Sequence, residues 1–130
     1  MKKTIEEQIK KLLRYNIEAD LRFINIAAAE NGDKLSDELL NKKKKLQLFQ
    51  EAITALYSTL NENERFVIQR HFVQQIDWDC LSEEFVQKWG EKNLRSKRSF
   101  MNLQSSGFKK MAMYIERNFG VFDYSWLFDL

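Results

Sequence analysis

Apolar residues recur at spacings of three and four through the first half of this sequence, and the whole chain contains no proline and only four glycines. Such spacing places side chains on one face of an α-helix. One apolar stripe runs over residues 5–28 and a second over residues 35–60. Because Asn31-Gly32-Asp33 between them is typical of a helix end, we expect one long helix from Thr4 to about Glu30, paired with a second in an antiparallel hairpin.

The second half of the chain carries signals for further helices. Asn61, with Glu64 three residues later, predicts an N-terminal capping box for a helix that ends near Gln75. Asp77 or Asp79 is suited to cap the next helix. We therefore expect two short helices after the hairpin.

A final long helix is predicted from Ser96 onward. Gly90 is expected to end the preceding helix, the residues after it to form a polar turn, and Leu94 to reach back to the core. Gly107 in the middle of the last helix costs about 1 kcal/mol relative to alanine, so we expect another helix to cross closely there. The predicted fold is all-α, with a helical hairpin over 1–60, a helix-turn-helix domain over 61–118 and an apolar tail over 119–130.

Charge is unevenly distributed along the chain. The net charge is only +2, but residues 88–110 hold seven cations and one anion, which leaves the rest of the chain at −4. A basic segment on an otherwise acidic protein favours a polyanionic partner that is met by one face. Nucleic acid is the partner that this charge pattern predicts, and the helices described next point to double-stranded DNA.

A short helix, a turn and a longer helix that begins with cations form the arrangement that enters a DNA major groove. Arg98 is suited to bidentate contact with guanine and Asn102 to pairing with adenine, while Lys92, Arg95 and Lys109 are suited to phosphate contacts. The start of the helix also offers free backbone N–H groups to a phosphate. The candidate DNA-binding residues are Lys92, Arg95, Ser96, Lys97, Arg98, Ser99, Asn102 and Lys109.

Other classes of function have weaker support. The lone Cys80 and lone His71 cannot supply the ligands of a zinc site, and no motif places a nucleophile beside that histidine. Acidic residues near Asp77 are explained by helix capping, and the methionines and tryptophans, Met101 and Met113 included, by the core. We therefore expect no enzyme activity, no cofactor and no metal. The chain has no membrane span or secretory signal, which predicts a cytoplasmic protein.

The stretch from Leu56 to Ile115 resembles region 4 of bacterial sigma factors. The resemblance rests on the segment Leu60–Ile68, which contains a Glu-Arg pair, and on the spacing of Phe100, Leu103, Gly107-Phe108 and Met111. With Lys10–Tyr15 near its start and Ser99-Phe100 in the last helix, the whole chain is similar to the ArpU and RinA group of phage transcription activators. The resemblance implies a sigma-like helix-turn-helix and activation of phage late genes.

The sequence departs from the sigma pattern in the extra turn residues Glu91–Asn93 and in the bulky pair Phe85-Val86. Two alternatives stay open: a protein that binds RNA polymerase, and a small terminase-like adaptor for DNA packaging. The apolar tail after Phe119 either folds back on the hairpin or supports a homodimer or a contact with a partner protein.

Overall fold

The structure, a computed structural model, describes residues 4–32 and 34–118, and all regular secondary structure among them is helical. The predicted all-α class is therefore confirmed for this part of the chain. The predicted tail, 119–130, lies outside the described residues. Besides the α-helices, the chain forms a π-helical segment, Ile68–Val73, and a short 3₁₀ turn, Glu91–Asn93. The α-helices are α1 (Ile5–Arg14), α2 (Ile17–Glu30), α3 (Asp37–Ser58), α4 (Glu62–Val67), α5 (Trp78–Trp89) and α6 (Lys97–Asn118).

The prediction of one helix from Thr4 to Glu30 is wrong, because the chain breaks between α1 and α2. Asn16 caps α2: its side chain accepts a hydrogen bond of 3.1 Å from the backbone N–H of Ala19. Asparagine competes for backbone groups in this way and favours a new helix start. The apolar spacing does not reveal the break, since Leu13 before it and Ile17 after it are both buried.

The capping predictions for the next two helices are confirmed. Asn61 and Glu64 form a reciprocal capping box at the start of α4, and the Asp77 side chain accepts from the backbone N–H of Cys80 at the start of α5. The helix predicted to end near Gln75 is α-helical only to Val67 and then π-helical to Val73. Gln75 follows with a φ of 58°, a value that is uncommon outside glycine.

Two hydrophobic clusters hold the helices together, and α6 contributes to both. The larger joins α1, α2 and α3 to the π-helical segment and to the C-terminal half of α6. The smaller consists of Val67, Leu81, Phe85 and Phe100. Because α6 packs on α1 as well as on α4, the first and the last described helices share one core.

Three core predictions are wrong. Leu94 is 54% exposed, since the space inside the turn is filled by Phe85 and Phe100, whose ring centroids are 5.2 Å apart. Met101 and Met113 are also about half exposed. On the core side of α6 near these two methionines, the buried positions are occupied by Phe100, Met111 and Ile115.

Candidate nucleic-acid interface

The start of α6 is fixed by the residues that the sequence singled out. The Ser96 hydroxyl accepts from the backbone N–H of Ser99 at 3.1 Å, which confirms Ser96 as the N-cap. Arg95 donates from its guanidinium to the Ser99 hydroxyl at 3.4 Å. Phe100, in the first turn, is fully buried in the smaller cluster. The cap and this buried ring together determine which side chains of the first turns face outward.

Exposed polar side chains recur along one side of α6 at intervals of three and four residues. Successive helical residues are 100° apart, so these intervals keep the set within about 60° of arc and extend it over about 16 Å. The opposite side of the helix buries Phe100, Gly107 and Met111. We refer to the exposed set as the outer face of α6, and it consists of Arg98, Asn102, Ser105 and Lys109.

The cations of the outer face have no anionic partner in the described part of the chain. None of its carboxylates forms an ion pair with Arg98 or Lys109. The sequence had selected Arg98, Asn102 and Lys109 but not Ser105, although Ser105 has the same helical spacing. The structure therefore brings together three of the eight candidates on one surface.

The other candidates lie beside this surface. Lys92 and Arg95 are exposed in the turn between α5 and α6. They line a groove of about 520 Å³ together with Asn61 and Trp89. Lys97 is also exposed, but helical geometry turns it about 100° away from its neighbour Arg98. The Ser96 hydroxyl accepts the capping hydrogen bond from the backbone N–H of Ser99, and the Ser99 hydroxyl accepts from Arg95, so both serine side chains are engaged within the protein.

A buried carboxylate fixes the position of α6 against α4. Glu64 is 1% exposed, and it accepts hydrogen bonds from Lys110 Nζ at 2.7 Å and from the Ser106 hydroxyl at 2.8 Å. It also accepts from the backbone N–H of Asn61 at 3.0 Å. Burial opposes ionisation of Glu64, but these three hydrogen bonds outweigh it and hold the pKa of the carboxyl below its ordinary value. Lys110 thus forms an ion pair within the fold, whereas the adjacent Lys109 is exposed.

Gly107 allows the close approach of helices that the sequence predicted. A Cβ atom at Gly107 would lie 2.5 Å from Cδ1 of Ile68 and 3.6 Å from Cδ2 of Leu60. The first distance is far shorter than a normal carbon contact, so only glycine fits without displacement of Ile68. This crossing places the middle of α6 directly on the start of the π-helical segment.

Sequence reasoning missed a cation that α1 adds near the outer face. Nζ of Lys10 lies 5.0 Å from the ring centroid of Phe108, which precedes Lys109 in α6. Lys10 is exposed. Contacts between residues this distant in sequence leave no local pattern, so only the packing of α1 on α6 reveals the position of this lysine.

The histidine and acidic side chains that could support enzyme or metal chemistry make contacts within the fold. The ring of His71 stacks on Trp78 with centroids 3.5 Å apart, and its Nδ1 lies 2.8 Å from the carbonyl oxygen of Ile76. Glu84 pairs with Arg70, with Oε2 accepting from Nε at 2.8 Å. Over residues 4–32 and 34–118, no cluster of three or more potential ligand side chains could hold a metal ion. Within the same ranges, no helix has the length and hydropathy that a membrane crossing requires.

The described part of the chain is thus all-helical, with an exposed polar and cationic face on α6. Comparison of the chain with protein-family models, curated proteins and solved structures finds no match. The resemblance to sigma region 4 and to the phage activators therefore stays a prediction from sequence motifs.

Proposed function

We propose that this protein binds double-stranded DNA with the outer face of α6 and regulates transcription. The observation that carries the proposal is the alignment of Arg98, Asn102, Ser105 and Lys109 on one exposed side of a helix whose other side is buried. A helix of this width enters the major groove, where arginine and asparagine make bidentate contacts with purine bases.

The turn before α6 supports the same interpretation. Lys92 and Arg95 lie just before the start of α6, the helix that would enter the groove. In a bound duplex, this position would be close to the phosphates that border the groove. Near the opposite end of the outer face, Lys109 follows Phe108 in α6, and Nζ of Lys10 lies over the ring of Phe108. Cations at both ends of a recognition helix suit the two phosphate strands that border a groove. The resemblance of the sequence motifs to those of phage activators of late genes supports the regulatory part of the proposal.

A protein-binding role is the second candidate, and a different surface favours it. Phe23 and Ile26, three residues apart on α2, are 64% and 58% exposed. Apolar residues exposed together suit a protein partner such as RNA polymerase. This role is compatible with DNA binding because α2 does not contribute to the outer face of α6.

Salt dependence tests the DNA-binding proposal. The full chain is titrated with a fluorescent duplex of random sequence at about 50 mM and about 200 mM salt. For four phosphate contacts, affinity is expected to fall on the order of a hundredfold between the two conditions. Absence of binding at the lower salt concentration would show that the proposal is wrong. The mass of the protein in solution separates an activator, expected as a monomer or dimer, from a ring-forming packaging adaptor.

A further inference from the structure

Met101 is an exposed apolar side chain within an otherwise polar surface. It is the fifth residue of α6, and 49% of it is accessible to solvent. On a helix, residues three and four apart are neighbours. The neighbours of Met101 toward the helix start are therefore Lys97 and Arg98, and those in the other direction are Gln104 and Ser105. The thioether thus lies beside the outer face of α6, in the turns nearest the helix start.

The packing of residues 4–32 and 34–118 does not account for this methionine. At this level of α6 the core is filled by Phe100, which is fully buried, and by Leu103, which packs against the same cluster. Met111 on the same helix is fully buried and fills the larger core. An apolar side chain that remains exposed gains free energy when a partner later removes it from water.

The chemistry of the major groove limits what this side chain would contact. Base edges in that groove carry hydrogen-bonding groups, and the C5 methyl group of thymine is the apolar exception. A methionine side chain is flexible and polarisable, so it adapts to a methyl group whose position is set by the neighbouring contacts. Arg98 and Asn102, suited to guanine and adenine, lie three residues before and one residue after Met101.

We propose that Met101 contacts the C5 methyl group of a thymine in the bound duplex and so specifies a T·A pair at one position. This inference rests on the proposed DNA binding by α6. It adds an apolar determinant to a surface whose other members act by charge and hydrogen bonding. The same contact would accept the methyl group of 5-methylcytosine, because the two bases carry it at the same place in the groove.

Substitution of uracil for thymine tests the contact directly. Uracil keeps every hydrogen-bonding group of thymine and lacks only the methyl group. Duplexes recovered by selection from a randomised library with the full-length protein are resynthesised with deoxyuridine at each thymine in turn. We expect one position at which the wild-type protein loses about fourfold in affinity, the change that burial of one methyl-sized group gives. Met101→Ala is expected to bind the thymine and uracil forms of that duplex equally.

Two variants serve as controls. Met113→Ala removes a methionine of similar exposure from the other half of α6, and it should discriminate thymine from uracil as the wild type does. Met101→Leu keeps an apolar side chain at the same place and should retain the discrimination. Because Met101 is half exposed and outside the core, the thermal unfolding of all three variants should match that of the wild type.

The outcomes separate this inference from the proposed function. If the wild-type protein recovers no duplex, both proposals are wrong. If it binds DNA but tolerates uracil at every position, or if Met101→Ala still discriminates, DNA binding stands and the methyl contact is overturned. Loss of discrimination in Met101→Ala, with retention in Met113→Ala and Met101→Leu, supports the contact.

Discussion

Nζ of Lys110 lies 2.7 Å from Oε1 of Glu64, and this ion pair joins the middle of α6 to the first turn of α4. The carboxylate is buried and accepts further hydrogen bonds from Ser106 and from the backbone of Asn61. Glu64 is buried and Lys110 is half exposed, so removal of the lysine would leave a buried carboxylate without its charge partner. One side chain therefore caps α4 and also sets the position of the helix that carries the outer face.

Glu64→Gln is expected to lower the free energy of unfolding by about 1 to 3 kcal/mol. Glutamine can keep the capping hydrogen bond to Asn61, but it loses the charge that faces Lys110 and turns an N–H₂ group toward one of the two side-chain donors. Urea denaturation measures the change. Glu62→Gln, at an exposed position of the same turn, should change the free energy of unfolding by less than about 0.5 kcal/mol. Equal effects of the two variants would contradict this role for Glu64.

The contribution of Glu64 should depend on pH. Its pKa in the folded protein lies below the ordinary value of 4.5, so the ionised carboxylate stabilises the folded state above about pH 4.5. That contribution is lost as the pH falls through the lowered folded pKa. The difference in unfolding free energy between wild type and Glu64→Gln should therefore shrink between about pH 7 and about pH 3. Other acids titrate alike in both proteins, so a constant difference over this range would contradict the assignment.

Gly107→Ala is expected to destabilise the protein despite the better helix propensity of alanine. The new Cβ would lie 2.5 Å from Cδ1 of the buried Ile68, and overpacking of this kind costs about 1 to 3 kcal/mol against a gain of about 1 kcal/mol. Ile68→Val removes that Cδ1 atom. In a double-mutant cycle monitored by denaturation, we expect Gly107→Ala to cost less in the Ile68→Val background. Additive effects would show that the two residues do not compete for space.

Local signals in the sequence predicted much of the fold. Asn61, Asp77 and Ser96 each cap the helix that the sequence assigned to them. Gly107 lies at the predicted close crossing. These features depend on residues within one helical turn or on the absence of a side chain, so they leave a clear mark in the sequence. The outer face of α6 was partly predictable for the same reason, because one helix determines which of its residues share a side.

Features that depend on packing between distant segments were not predictable. The stripe from Ile5 to Ala28 continues through the break after Arg14, because both halves turn their apolar residues toward the core. The position of Leu94 after the polar turn and the apolar character of Met101 predicted that both are in the core, although bulkier neighbours fill the space that they would occupy. The approach of Lys10 to α6 likewise follows only from the packing of α1.

Lys10→Ala is expected to weaken DNA binding through the loss of one phosphate contact. The slope of the logarithm of affinity against the logarithm of salt concentration should become shallower by about 1, equally for all sequences. Lys44→Ala is the matched control, since Lys44 is exposed on the side of α3 opposite to its buried residues and should leave the slope unchanged. The binding titrations use the same duplex at several salt concentrations. A slope for Lys10→Ala equal to that of the control would exclude α1 from the interface.

Arg98→Ala and Lys109→Ala should separate the reading of bases from the attraction of phosphates. Arg98 lies in the first turn of α6 with its guanidinium free of any carboxylate in the described chain, which suits a bidentate contact with guanine. Its removal should lower affinity for the selected duplex by about 1 to 3 kcal/mol and relax the preference at one base pair, with little effect on random DNA.

Lys109 lies three helical turns further on, so its removal should weaken binding to selected and random duplexes alike. Affinities of each variant for both kinds of duplex decide the matter: equal binding of wild type and Arg98→Ala to the selected duplex would mean that α6 does not read bases with this residue.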